Sequence, residues 1–130
     1  LITGGSSGIG LSLAKRFLAL DNKVIITGRD ARKLERIQQE LPEIVTFTGD
    51  LTDKTVFEKL VLFVKQQYPG INILINNAAV QFNYQFVEDS NFIYKTDYEV
   101  AVNLMVPIKL TGLLLPILLK NENSAIINVS

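Results

Sequence analysis

The chain has 130 residues, 48% hydrophobic and 20% charged, with 13 Lys plus Arg against 13 Asp plus Glu. That is the size and composition of one globular domain, and the balanced charge gives no field for a nucleic acid or a membrane surface. Cys and His are both absent. Disulfides, thiolate catalysis, the commonest zinc ligand and a Ser–His nucleophile are therefore excluded within the chain, and acid–base chemistry falls to Tyr, Lys, carboxylates or a cofactor.

The opening stretch, Leu1 to Gly10, runs from a short apolar strand into four glycines and two serines, and then a helix begins. Glycine lets a backbone turn tightly and lets a ligand approach the main chain. The first amides of the following helix lack intrahelical partners and, with the helix dipole, suit a phosphate. No Gly-Lys-Ser/Thr closes the turn, which disfavours a Walker A loop. The spacing of Gly4, Gly8 and Gly10 is G-x-x-x-G-x-G.

Strands and helices then alternate. Ile9, Leu13, Ala14, Phe17 and Leu18 fall on one helical face, and Lys23–Thr27 reads as a buried strand followed by Gly28-Arg29-Asp30. Asp30 is placed to cap a second helix with the stripe Leu34, Ile37 and Leu41, which Pro42 ends. Ile44–Thr48 is a third strand, closed by Gly49-Asp50. Asp53 is placed to cap a helix whose Val56, Phe57, Leu60, Val61 and Val64 face inward. Ile71–Ile75 is a fourth strand, ending in Asn76-Asn77-Ala78-Ala79. An irregular region is expected from Val80 to about Lys95, then a helix from near Asp97 toward Lys120, bent or broken by Pro107 and Pro116. Ala125–Val129 is a fifth strand.

Apolar strands joined by helices imply an α/β fold, a doubly wound parallel sheet with helices on both faces. Ligands bind such sheets beyond the carboxyl ends of the strands, where the Gly turn, Arg29, Asp50 and Asn76-Asn77 all fall. Arg29 stands where a cation would accept the 2′-phosphate of NADP and a carboxylate would accept the ribose hydroxyl of NAD; Asp30, facing the ribose, is the alternative. Asp50 is either an adenine acceptor or a turn residue. Asn103 lies amid Val102, Leu104 and Met105; an amide buried there needs a partner, a bound water or a neighbouring main chain. Glu88-Asp89 reads as a solvated loop rather than an acid pair. The apolar run Leu104–Leu119 contains Pro107, Lys109 and Pro116 and is shorter than the roughly 20 residues of a membrane span, so a buried or interface helix is expected. No signal peptide is visible, and a cytoplasmic location without membrane or nucleic-acid partners is expected.

Thr3 to Gly10, T-G-G-S-S-G-I-G, resembles the cofactor turn of the short-chain dehydrogenase/reductase family. Asp50-Leu51 resembles its adenine-binding pair, and Asn76-Asn77-Ala78-Ala79 its N-N-A-G, with Ala79 in place of Gly. Asn103 matches the helix Asn that holds a water in the family's proton relay, and Ile126–Ser130 the strand leading to its catalytic Ser. The resemblance implies a Rossmann-like fold and an NAD(P)-dependent oxidoreductase of the NADP-preferring type, with NAD the less favoured cofactor. It would move a hydride between nicotinamide and a carbonyl or alcohol carbon of a small molecule. On this reading Gly4, Ser6, Ser7, Gly8, Ile9 and Gly10 hold the pyrophosphate and nearby ribose, and Arg29 the 2′-phosphate. Asp50 and Leu51 hold the adenine, Asn77 and Ala78 the adjoining ribose, and Asn103 serves catalysis. No metal is expected. A homodimer or homotetramer packed through the apolar helix is implied.

None of Tyr68, Tyr84, Tyr94 and Tyr98 has Lys four positions on, and Ser130 matches the first, not the catalytic, of the family's two serines. The chain begins at Leu1 inside a strand. Residues 1–130 are therefore expected to be the dinucleotide-binding portion of one domain that is preceded by further residues, continues past Ser130 and is inactive alone. Two other readings are a non-catalytic dinucleotide-binding or sensing module ending near Ser130, and a methyltransferase on a similar sheet. The second fits less well, because Arg29 replaces the acid its ribose would need. Leu41-Pro42 and Tyr68–Asn72 resemble a bacterial oxidoreductase subgroup, some members of which are associated with D-alanylation of cell-wall polymers; that likeness sets no substrate.

Overall fold

A computed structural model describes residues 1–83 and 85–130; Tyr84 lies outside the described residues. In chain order the elements are α1 (Gly8–Leu18), β1 (Ile25–Gly28), α2 (Ala31–Glu40), β2 (Val45–Thr48), α3 (Lys54–Gln67), β3 (Ile73–Asn76), α4 (Phe92–Val100), a π-helical turn (Ala101–Met105), α5 (Val106–Leu118) and β4 (Ala125–Asn128).

β1 pairs with β2, and β3 with β4, both parallel. The expected first strand appears as parallel bridges from Ile2 to Ile26 and Ile75. Leu1–Thr3 join the pairs into one sheet. Ile2 N–H donates to Ile25 O (2.9 Å) and Thr27 N–H to Ile2 O (3.0 Å); on the other side Ile75 N–H donates to Leu1 O (2.8 Å) and Thr3 N–H to Ile75 O (3.0 Å). The order is therefore β2, β1, Leu1–Thr3, β3, β4. The chain reverses its winding direction at the centre, and the crevice beside that switch point is where an open α/β sheet binds its ligand.

Side chains in a strand alternate between faces. Leu1, Ile25 and Leu74 enter a core with Leu60 and Val64 of α3 and Leu110 and Leu114 of α5. Ile2, Ile26 and Ile75 enter a second core with Ala14 of α1, Leu34 and Ile37 of α2, and Ile44. This is why the strands read as continuous apolar runs: each residue has an apolar layer to face. β4 differs, with all four residues exposed along the sheet edge.

The helical stripes formed as expected apart from Ile9, which is 62% exposed. Asp30 Oδ1 accepts from Lys33 N–H (3.1 Å), and Asp53 Oδ1 from Thr55 N–H (2.7 Å) and Val56 N–H (3.0 Å), so both caps formed. The last helix starts at Phe92, inside the region expected to be irregular and before the expected start near Asp97, and the prolines do not break it. It is continuous from Phe92 to Leu118. Pro107 lies in the first turn of α5, directly after the π turn, and Pro116 lies two residues before the helix ends. Pro107 sits in the first turn, where α5 loses little by lacking an N–H, whereas Pro116 lies inside the last turn and removes one intrahelical donor. By length and composition alone this helix could cross a membrane, but Val106, Leu110, Leu114, Ile117 and Leu118 are buried in the core.

Leu110 is fully buried, whereas Leu62 on α3 is 54% exposed. Leu110→Ala should cost about 2–5 kcal/mol in urea unfolding. Leu62→Ala should stay within about 0.5 kcal/mol of the parent.

Candidate functional site

A cleft of about 330 Å³ opens at the carboxyl ends of the strands. Gly4, Ser6, Ser7 and Ile9 line it from the turn and the start of α1, Arg29 from beyond β1, Asp50 and Leu51 from beyond β2, and Asn77 and Ala78 from beyond β3. Ile9 is exposed because it faces this cleft instead of the core.

The Gly turn is fixed from the β3 side. Thr3 Oγ1 accepts from Asn77 N–H and Ala78 N–H, each at 3.0 Å. The Asn77 amide nitrogen donates back to Thr3 O (3.0 Å) and Gly4 O (3.2 Å). The two loops approach so closely that a Cβ on Gly4 would lie 2.8 Å from Ala78 Cα, and Gly4 has φ +65°. A Cβ on Gly10 would lie 2.5 Å from both Asn77 Nδ2 and Gly4 O, whereas one on Gly8 (φ +53°) would meet nothing within 4 Å. Gly10 is small so that the loops can pack, and Gly8 is needed for its left-handed backbone and leaves open space. Ser7 is the N-cap of α1 but makes no capping side-chain bond, and the first turn carries no acid. The hydroxyl and the unpaired first-turn amides are therefore left for an anion.

At the other end, Arg29 Nη1 donates to the Tyr98 hydroxyl (2.8 Å), and that hydroxyl donates to Asp50 Oδ2. Asp50 Oδ1 accepts from Thr52 N–H (2.9 Å) and Thr52 Oγ1 (2.8 Å). Burial pushes the Asp50 carboxyl up, but the bonds from Tyr98 and Thr52 and the charge of Arg29 outweigh it and hold the group below the usual carboxylate range. Burial and the Asp50 carboxylate push the Tyr98 phenol up despite Arg29, so it remains a donor at neutral pH. Asp30 is spent as the α2 cap and does not line the cleft.

Asn103 sits in the π turn and does not line the cleft, although Val102 and Val106 do. Its side chain is exposed, not buried as expected, yet both ends are engaged: Oδ1 accepts from Val80 N–H and Nδ2 donates to Val80 O, each at 2.8 Å. One turn earlier, Glu99 accepts from Phe82 N–H. This helix face therefore fixes the loop leaving β3. Pro107, four residues on, has no N–H to donate to the Asn103 main-chain oxygen. Asn76 points away from the cleft, donating to Thr111 Oγ1 (3.3 Å) and Asn128 Oδ1 (2.9 Å).

Glu88 is exposed as expected of a solvated loop, but the Asp89 side chain is only 16% exposed and pairs with Lys95. A second cavity, of about 440 Å³, opens at the opposite ends of the strands near Phe17, Val24 and Tyr68, and holds none of the candidate residues. Sequence reasoning passed over Tyr98, Thr3 and Thr52. Thr3 lay inside the quoted motif and Thr52 within G-D-L-T-D, but nothing local marked Tyr98, whose partners lie 48 and 69 residues away.

The short chain dehydrogenase family model matches residues 1–130. The chain belongs to the short-chain dehydrogenase/reductase family. It is 40% identical over its whole length to the uncharacterized oxidoreductase DltE of Bacillus subtilis (strain 168), of which it covers 52%. It is 29% identical over 132 residues to the NADP-dependent 3-hydroxy acid dehydrogenase YdfG of Salmonella typhi, covering 99% of this chain and 52% of that one. A crystal structure of a metagenomic short-chain oxidoreductase in complex with NADP superposes with a TM-score of 0.87 at 27% identity, over 99% of this chain and 59% of that one. The chain thus spans about half the length of the curated relatives it matches.

Gly10→Ala should lower stability and nucleotide affinity together, because the new methyl forces the Asn77–Gly4 contact apart. Gly8→Ala should cost only about 1–2 kcal/mol, the strain of a left-handed backbone. Thermal melts with and without NADPH separate the two.

Proposed function

We propose that the chain is the cofactor-binding portion of an NADP(H)-preferring short-chain dehydrogenase/reductase acting on a carbonyl or alcohol carbon of a small molecule. The observation that carries this reading is one cleft uniting the open amides of α1 with Arg29 beyond β1 and Asp50 beyond β2. The Gly4 and Gly10 approaches support it, since they leave a bare main chain where a pyrophosphate would rest. So do the NADP-dependent relative and the NADP-bound neighbour.

The nicotinamide supplies the hydride donor or acceptor when bound. The residues here bind and orient. Ser6, Ser7 and the amides of Gly8, Ile9 and Gly10 hold the pyrophosphate end. Arg29 supplies a planar fork for a 2′-phosphate, the group that separates NADP from NAD. Asp50 and Leu51 meet the adenine, and Asn77 and Ala78 border the adjoining ribose while tying the turn in place. Asn103 contributes to proton relay through its main-chain oxygen, which can hold a water, because its side chain is committed to Val80. No tyrosine of the chain carries a lysine four positions on, so the proton-transferring side chain acts from outside these residues.

A homo-oligomer through the last helix is part of the same proposal. Leu104, Ile108, Leu115 and Leu119 are 53%, 57%, 37% and 71% exposed and recur at helical spacing. Light scattering of the intact protein should give a dimer or tetramer; a monomer alone would remove this element. The cofactor is tested by titrating nicotinamide fluorescence with NADPH and NADH. Arg29→Ala should weaken NADPH about 10- to 100-fold, the loss of a charge-assisted phosphate contact, and leave NADH little changed. Failure of the intact protein to bind either would sink the assignment.

A further inference from the structure

Tyr98 is the one wall of the cleft contributed by α4, and its hydroxyl touches two charged groups at once. Arg29 Nη1 donates to it at 2.8 Å, and it donates to Asp50 Oδ2. Under the dinucleotide reading, on which this inference rests, those groups belong to neighbouring parts of one ligand. Asp50 would accept from the adenine amino group, and Arg29 would donate to the 2′-phosphate. A phenol hydroxyl is both donor and acceptor. It offers Asp50 the kind of proton that adenine would offer, and it offers Arg29 the kind of oxygen that phosphate would offer.

The ring is also held in place. Phe82 lies 6.2 Å from it at a tilt, and Tyr94 stacks on it at 6.2 Å with planes 17° apart. Asp50 Oδ1 already accepts two bonds from Thr52, so an adenine amino group must use Oδ2, where the phenol takes one of the two acceptor positions.

We propose that Tyr98 is a built-in stand-in for the adenosine end of the cofactor, and that the ligand competes with its hydroxyl for Asp50 and Arg29 and displaces it. The hydroxyl bridges a carboxylate and a guanidinium that have no direct bond to each other among the described residues. Affinity is then reduced by the fraction of molecules in which the hydroxyl holds its place. The effect falls on the adenine contact, which NADPH and NADH share.

The test compares wild type and Tyr98→Phe in the intact protein, titrated with NADPH, NADH and 2′,5′-ADP, a probe that carries the adenine and the 2′-phosphate without nicotinamide. Removing the hydroxyl while keeping the ring should tighten all three about three- to tenfold and lower the melting temperature of the ligand-free protein. A crystal structure of the wild type with 2′,5′-ADP should show the Tyr98–Asp50 bond broken, and this second measurement stands if the variant does not fold. Unchanged or weaker binding by Tyr98→Phe beside normal wild-type binding overturns the inference alone. So does a Tyr98–Asp50 bond that persists with the probe bound. No binding of any probe by the wild type overturns the dinucleotide reading, and this inference with it.

Discussion

The cleft depends on the tie between Thr3 and Asn77. One hydroxyl accepts two main-chain amides from the β3 loop, and one side-chain amide returns two bonds to the Gly turn. Neither loop is held by regular secondary structure, so these four bonds, spanning more than seventy residues of sequence, set the distance between them. Because the tie is short, Gly4 and Gly10 have no room for a side chain. The same closeness keeps a bare main chain at the start of α1, where a phosphate is best received. The glycine pattern is therefore a consequence of the crossing, and not only of the turn's own conformation.

The tie in turn depends on the central position of Leu1–Thr3. These residues are hydrogen-bonded on both sides and buried on both faces. Thr3 is 2% exposed, so its hydroxyl has no competing water to serve. The sheet delivers it rigidly to the Asn77 loop. Function at the cleft thus rests on packing two layers away, where Leu74 and Leu110 fix β3 against α5.

Much of this was legible in the sequence. Apolar runs marked the central strands because those are buried on both faces, and Asp30 and Asp53 announced their helices because a cap acts on amides two or three residues away. The Gly turn, Arg29, Asp50 and Asn77 could be gathered at one sheet end because parallel topology puts every strand's carboxyl terminus there. Where sequence reasoning fell short, the cause was non-local. Tyr98 looked like any helix aromatic, since its partners come from the ends of two distant strands. Asn103 was read as a buried amide because its neighbours are apolar, yet it lies on the exposed side and is satisfied by the Val80 backbone. The helix passes through Pro107 because a π turn precedes it, a local rearrangement that periodicity does not encode.

The π turn at Ala101–Met105 also sets the phase of the helix that contains it. It inserts about one extra residue into the helical path, and each residue turns an α-helix by about 100°. Upstream of it, Tyr98 and Glu99 face the cleft and its loop; downstream, Leu110 and Leu114 face the sheet. A uniform α-helix over the same residues would point one of these sets the wrong way. The turn works as a phase shifter, letting one continuous rod serve a polar cleft with its first half and an apolar core with its second. The length of Ala101–Met105, more than its composition, is what holds the two faces in register.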